Sequence, residues 1–93
     1  MGVGAEKIYI KCPDVIERMI DGEAVLLDLK TGVYYSLNEV GSEIWKLIDG
    51  ERSVRDVVQW VLENHEVERA AAEQDVNELL DDLCKEKLIK TKE

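Results

Sequence analysis

The apolar residues change their spacing at Asn38, and that change constrains the fold more than any other feature of the chain. Upstream they alternate, the two-residue period of strands with one buried face. Downstream they recur at intervals of three and four, the period of an amphipathic helix. Residues 15–20 read as the first strand of a meander and stop at Asp21-Gly22, a dipeptide suited to a tight hairpin. Residues 24–29 form the second strand, with Val25, Leu27 and Leu29 on one face and Leu26 and Asp28 on the other. Lys30-Thr31-Gly32 makes a turn in which glycine supplies a positive φ. Residues 33–37 (VYYSL), rich in β-branched and aromatic side chains, form the third strand.

Asn38 is a good N-cap, and Val40, Ile44, Leu47 and Ile48 form the stripe of a first helix that ends at Asp49-Gly50. Ser53 with Asp56 three positions on forms a capping box for a second helix, striped by Val54, Val57, Val58, Val61 and Leu62. Residues 63–69 are a polar link holding His65, expected to be a solvated linker residue. A third helix runs from about Ala70 to Lys87 with Val76, Leu79, Leu80, Leu83 and Cys84 inward, and Leu88-Ile89 pack back on the core. The expected class is α+β, winged helix-turn-helix-like, a three-stranded antiparallel sheet followed by three helices. Residues 15–93 are expected to form one domain behind an N-terminal extension, residues 1–14, in which Ile8-Tyr9-Ile10 reads either as a short strand or as a tail.

At 93 residues there is room for one compact core and little for an enclosed active-site cavity as well. No apolar run approaches the ~20 residues of a membrane span, and the N-terminus lacks a signal peptide's pattern, so a cytoplasmic location is expected. Acids outnumber bases, 21 to 12, giving a net charge of −9. Duplex-DNA binders carry a basic face. Here the would-be recognition helix carries Glu73, Asp75, Glu78, Asp81 and Asp82, carboxylates that would meet phosphates. A DNA-binding regulator is therefore disfavoured.

Catalytic and metal chemistry find no support either. Cys12 and Cys84 form no CxxC pair, and with the single His65 they fall short of a structural zinc set. Cys84 reads as a buried structural thiol and Cys12 as an inert one. Asp81 and Asp82 are adjacent on a helix and point about 100° apart, so they do not share a proton. No glycine-rich phosphate loop is present. No catalytic residue, metal or cofactor is expected.

What remains is recognition by surface. The third strand ends the meander and leaves an unpaired edge, to which an extended peptide can add as another strand. Tyr34 and Tyr35 lie on opposite faces, so one ring can enter the core while the other borders a groove; both packing the sheet is the plain alternative. On the third helix Asp75, Glu78, Leu79 and Asp82 share one side, an acidic margin suited to Lys or Arg on a guest, or else simply a solvated face. Trp45 and Trp60 read as core or self-association residues rather than a ligand cage.

The run from Gly22 to Asn38 (GEAVLLDLKTGVYYSLN) resembles the strand pair of the PqqD family, and the residues beyond it extend the likeness. Gly41, Ile44-Trp45, Leu47, Asp49-Gly50, Ser53-Val54, Asp75-Val76, Leu79-Leu80, Leu83 and Leu88-Ile89 are similar to the rest of the family pattern, across roughly residues 15–89. The resemblance implies a non-catalytic recognition element for ribosomally made, post-translationally modified peptides. Such a domain binds the leader of a precursor peptide by strand addition and delivers it to a modifying enzyme. Carried over, the contacts are Val33, Tyr34, Tyr35, Ser36 and Leu37 on the strand and Asp75, Glu78, Leu79 and Asp82 on the helix. The implied partner is a radical S-adenosylmethionine enzyme in pyrroloquinoline quinone synthesis or a leader peptidase in lasso-peptide maturation, and the 27–38 phrase looks more like the lasso branch or a general PqqD-like protein. The third use of such an edge is as a dimerisation or structural interaction surface, with no nucleic acid and no membrane involved.

Overall fold

The computed structural model describes residues 4–92. A 3-10 turn at Gly4–Glu6 precedes β1 (Tyr9–Lys11), β2 (Val15–Ile20), β3 (Glu23–Asp28) and β4 (Tyr34–Ser36). Three helices come next, α1 (Glu39–Leu47), α2 (Val54–Asn64) and α3 (Arg69–Lys85), and β5 (Ile89–Thr91) closes the chain. The α+β order of three antiparallel strands and then three helices is the expected one, with a small second sheet added.

The principal sheet has the order β2-β3-β4, antiparallel throughout. Asp21 and Gly22 both have positive φ, 53° and 83°, which matches the twist of a two-residue hairpin loop between β2 and β3. β3 is central, and its alternation buries Ala24, Leu26 and Asp28 while Val25 and Leu27 lie on the opposite, partly open face. The strand's three exposable aliphatics, Val25, Leu27 and Leu29, are thus not its core face. Helix α1 packs against the face that buries Ala24 and Leu26. Ser42 is such a contact: buried in α1, its Oγ accepts the Ala24 N–H at 2.6 Å and donates to the Leu37 carbonyl at 3.2 Å.

The helices start and stop where their caps dictate. Asn38 accepts the Gly41 N–H, and Ser53 and Asp56 form the full reciprocal capping box. Trp45, Ile44, Val57, Val58, Val61, Val76, Leu80 and Leu83 meet in one core with Leu26. Trp45 is a core residue at 1% exposure, and its indole N–H donates to Glu17 of β2.

The N-terminal segment is tied into this core. β1 pairs antiparallel with β5, Ile10 standing opposite Lys90, and Tyr9 is buried. Of the two readings of residues 8–10, strand and tail, the structure has the strand. Setting residues 1–14 apart as an extension overlooked the partner, because β5 lies at the far end of the chain and has only three residues. Gly50 completes the junction with φ +81°; a Cβ there would stand 3.1 Å from Ile10 Cγ2. Leu88 and Ile89 are fully buried.

Candidate functional site

β4 forms one edge of the principal sheet, and its register fixes which backbone groups are free. Tyr35 stands opposite Leu26, the Val33 carbonyl accepts from Asp28 N–H at 3.0 Å, and the Leu37 N–H donates to Ala24 at 2.9 Å. Residues 33, 35 and 37 therefore turn their backbone groups towards β3. The N–H and C=O groups of Tyr34 and Ser36 point the other way, and no backbone partner meets them among the described residues. β1 pairs with β5 and leaves this edge uncovered.

An open groove of about 530 Å³ runs from the Ser36 end of β4 to α3. Its α3 wall is Asp75, Glu78, Leu79 and Asp82, and its floor is Val40, Gly41 and Ile44 of α1. Gly41 fits beneath the α1 cap: a Cβ there would stand 3.1 Å from Asn38 Oδ1, and in ordinary contact, 3.6 Å, with Leu79 Cδ2 of the wall. A second recess, at the Val33 end, is bounded by Tyr35, Lys85, Glu86 and Lys87. In that recess the Tyr35 hydroxyl donates to Glu86 Oε1 at 2.7 Å. That bond, with partial burial, raises the phenol pKa above its ordinary value.

The structure brings together most of the residues singled out from sequence, though not on one surface. Ser36, Leu37, Asp75, Glu78, Leu79 and Asp82 line the first groove, and Val33 and Tyr35 line the second recess. Leu37 is mainly a core residue at 8% exposure. Tyr34 is 68% exposed and lies on the outer face of the sheet beside Leu27 and Ile16, lining neither recess. Of the two tyrosines it is Tyr35 that packs partly against the core.

His65 is not a free linker residue. It caps the end of α2 with Nε2 2.7 Å from Glu43 Oε1, half-buried, at the margin of the groove. Sequence reading placed it in solvent because Glu43 lies 22 residues upstream, on the adjoining helix. The groove floor was also missed. Cys84 is half-buried rather than fully so, with its thiol pKa raised first by burial and then by Asp81. Cys12 is also half-buried and free.

No group of three or more His, Cys, Asp or Glu among the described residues is arranged to hold a metal ion. No described helix is long and apolar enough to cross a membrane. What the site offers is shape, an unpaired strand edge and charge.

Comparison with known proteins agrees with that description. Among solved structures the chain is similar to TbiB1 in complex with the TbiA(beta) leader peptide, at 32% identity and a TM-score of 0.81, covering 87% of this chain and 94% of that one. It is equally similar in fold to a lasso peptide synthetase B1 complexed with the leader peptide, at 29% identity and a TM-score of 0.81, covering 88% and 96%. Among curated proteins none matches significantly. Residues 23–89 match the family model described as coenzyme PQQ synthesis protein D, PqqD. This chain therefore belongs to the PqqD family.

Proposed function

We propose that this protein is a non-catalytic recognition element that binds the leader segment of a ribosomally made precursor peptide and presents it to a modifying enzyme. The observation that carries the reading is the uncovered edge of β4, whose Tyr34 and Ser36 backbone groups stand free beside a groove walled by α3. A peptide added there gains main-chain hydrogen bonds, and alternate side chains reach the recesses. The similarity to two proteins solved with leader peptides supports the same reading. Val33, Tyr34, Tyr35, Ser36 and Leu37 would serve as the strand contacts and Asp75, Glu78, Leu79 and Asp82 as the helix contacts.

Function then arises from tethering. A bound leader confines the modifiable part of the precursor near the enzyme at an effective concentration that reaches about millimolar for a short linker. This protein supplies selection and the partner supplies chemistry. The lasso peptide synthetase relatives favour a leader peptidase over a radical S-adenosylmethionine enzyme as that partner. The setting is the cytoplasm.

The test is titration of labelled protein with the leader encoded by the nearest short reading frame, followed by amide shifts. Shifts confined to residues 33–37 and 75–83 at micromolar or lower Kd are expected. A monomeric protein showing no shifts with any leader of its locus would overturn the reading. Mass that rises with concentration would instead point to a second copy of the chain on the β4 edge.

A further inference from the structure

We infer that the groove reads the order of charges along its guest, taking an extended segment whose Lys or Arg residues precede its Asp or Glu residues. The inference rests on the peptide-recognition reading and specifies its substrate. At the Ser36 end the α3 wall presents Asp75, Glu78 and Asp82, and no cation pairs with them among the described residues. At the Val33 end the recess presents Lys30, Lys85, Lys87 and Lys90. Three carboxylates share that recess, Asp14 paired with Lys30 at 3.5 Å, Asp28 accepting the Lys30 N–H and Glu86 accepting the Tyr35 hydroxyl, so the four lysines leave it a net charge of +1. Lys85, Lys87 and Lys90 have no acidic partner among the described residues. In a chain of net charge −9, one end of this edge is thus acidic and the other carries a small positive excess.

Lys87 marks the basic end further. It occupies the left-handed region at φ 62°, where glycine is the favoured residue, and it lines the recess. Glycine there would relieve the backbone but remove this cation from the recess.

Direction is set by the strand. Antiparallel addition is the more stable pairing, and an antiparallel guest on β4 enters beside Ser36 and leaves beside Val33. Its first residues meet the carboxylates and its last the lysines. Three strand steps of about 3.4 Å separate the two ends, so the opposite charges lie about three to five residues apart on the guest.

The experiment is selection from a displayed library of twelve-residue peptides with fixed apolar alternation and Lys, Glu, Ser or Gln at the other positions, against the intact protein. Enriched peptides are expected to place Lys three to five residues before Glu. A synthetic winner should bind about tenfold tighter than its charge-exchanged isomer at 50 mM salt, and less than about twofold tighter at 500 mM. In Asp75→Lys/Asp82→Lys protein the preference for N-terminal Lys should disappear. Winners that shift residues 34–36 and 75–87 without any charge order, or with acids first, overturn the inference and leave the recognition reading standing. A library yielding no binder, or binders that shift neither β4 nor α3, overturns the inference together with the recognition reading.

Discussion

The hydroxyl of Tyr35 donates to the Glu86 carboxylate at 2.7 Å, joining the edge strand to the end of α3 across 51 residues of sequence. The bond lies in the recess at the Val33 end of the edge and ties β4 to the residue that ends α3. The distance between β4 and α3 therefore depends on a surface hydrogen bond as well as on the α1 floor beneath them.

Tyr35→Phe removes that bond and keeps the ring against the core. The expected outcome is little change in thermal stability and a leader affinity weakened about three- to tenfold, the scale of one ordinary hydrogen bond. Isothermal titration beside a thermal melt separates the two. Equal affinity in Tyr35→Phe would mean that the walls are set by the floor alone. In the native protein the phenol should titrate above the ordinary tyrosine value of 10.0, so the tie persists up to that range and is lost as pH rises through the raised pKa.

Periodicity made most of this fold legible, because it records which face of each element is buried. The Asn38 and Ser53 caps were readable from residue type, since a side-chain oxygen three residues ahead of an N–H is local chemistry. What could not be read depended on partners distant in sequence. β1 and β5 are each three residues long and find each other only in space. The Glu43–His65 pair and the Tyr35–Glu86 bond join different elements, and no local pattern announces either. The edge strand and the acidic side of α3 were legible; the basic end was not, because Lys30, Lys85 and Lys90 lie on separate elements and converge only on folding.

The register of β4 makes a further prediction about proline. The Ser36 N–H points outward, so Ser36→Pro removes no ladder bond to β3 and should cost modest stability, as proline does on sheet edges. It deletes a donor to any added strand and places a ring in its path. Leader binding should fall by tenfold or more, about 1.4 kcal/mol or greater. Tyr35→Pro, whose N–H faces β3, should instead unfold the edge. Normal leader affinity in Ser36→Pro would show that the guest does not pair with β4.

Ser42 holds the sheet to α1 through the Ala24 N–H and the Leu37 carbonyl, all within the core. Ser42→Ala leaves a buried donor without its acceptor, at a cost of about 1–3 kcal/mol. For a domain of this size that is a Tm lower by roughly 5–15 °C. A urea melt would check it, and an unchanged midpoint would show that the Ala24 N–H finds another acceptor.

The end of α3 is a Schellman motif: Leu88 N–H donates to Leu83 and Lys87 N–H to Cys84, each at 2.9 Å, with Leu83 and Leu88 both buried. Its left-handed residue is Lys87 instead of glycine. Lys87→Gly should therefore stabilise the protein by about 1 kcal/mol, seen as a Tm raised by about 4–8 °C. The same change removes a cation from the basic end of the groove, so stability and affinity should move in opposite directions. A variant gaining both would remove the functional account of the strain.

Glu17 makes folding sensitive to acid. Burial by itself raises its pKa, but the Trp45 indole N–H and the Lys11 ammonium, 3.3 Å away, outweigh that and hold the carboxyl below its ordinary value of 4.5. A carboxyl depressed in the folded state contributes stability that is fully present above 4.5 and is lost as pH falls through the lower folded value. The side chain is 40% exposed, so solvent screening keeps this contribution under about 1 kcal/mol. Two variants separate charge from hydrogen bond. Glu17→Gln keeps an oxygen for the indole N–H and should flatten the loss of stability between about pH 5 and pH 3 with little change at neutral pH. Glu17→Ala leaves the donor of a core tryptophan unpaired and should cost about 1–3 kcal/mol at every pH. Urea midpoints for the three proteins across that range test both statements. A Glu17→Gln profile parallel to the native one would assign the acid sensitivity to another carboxylate.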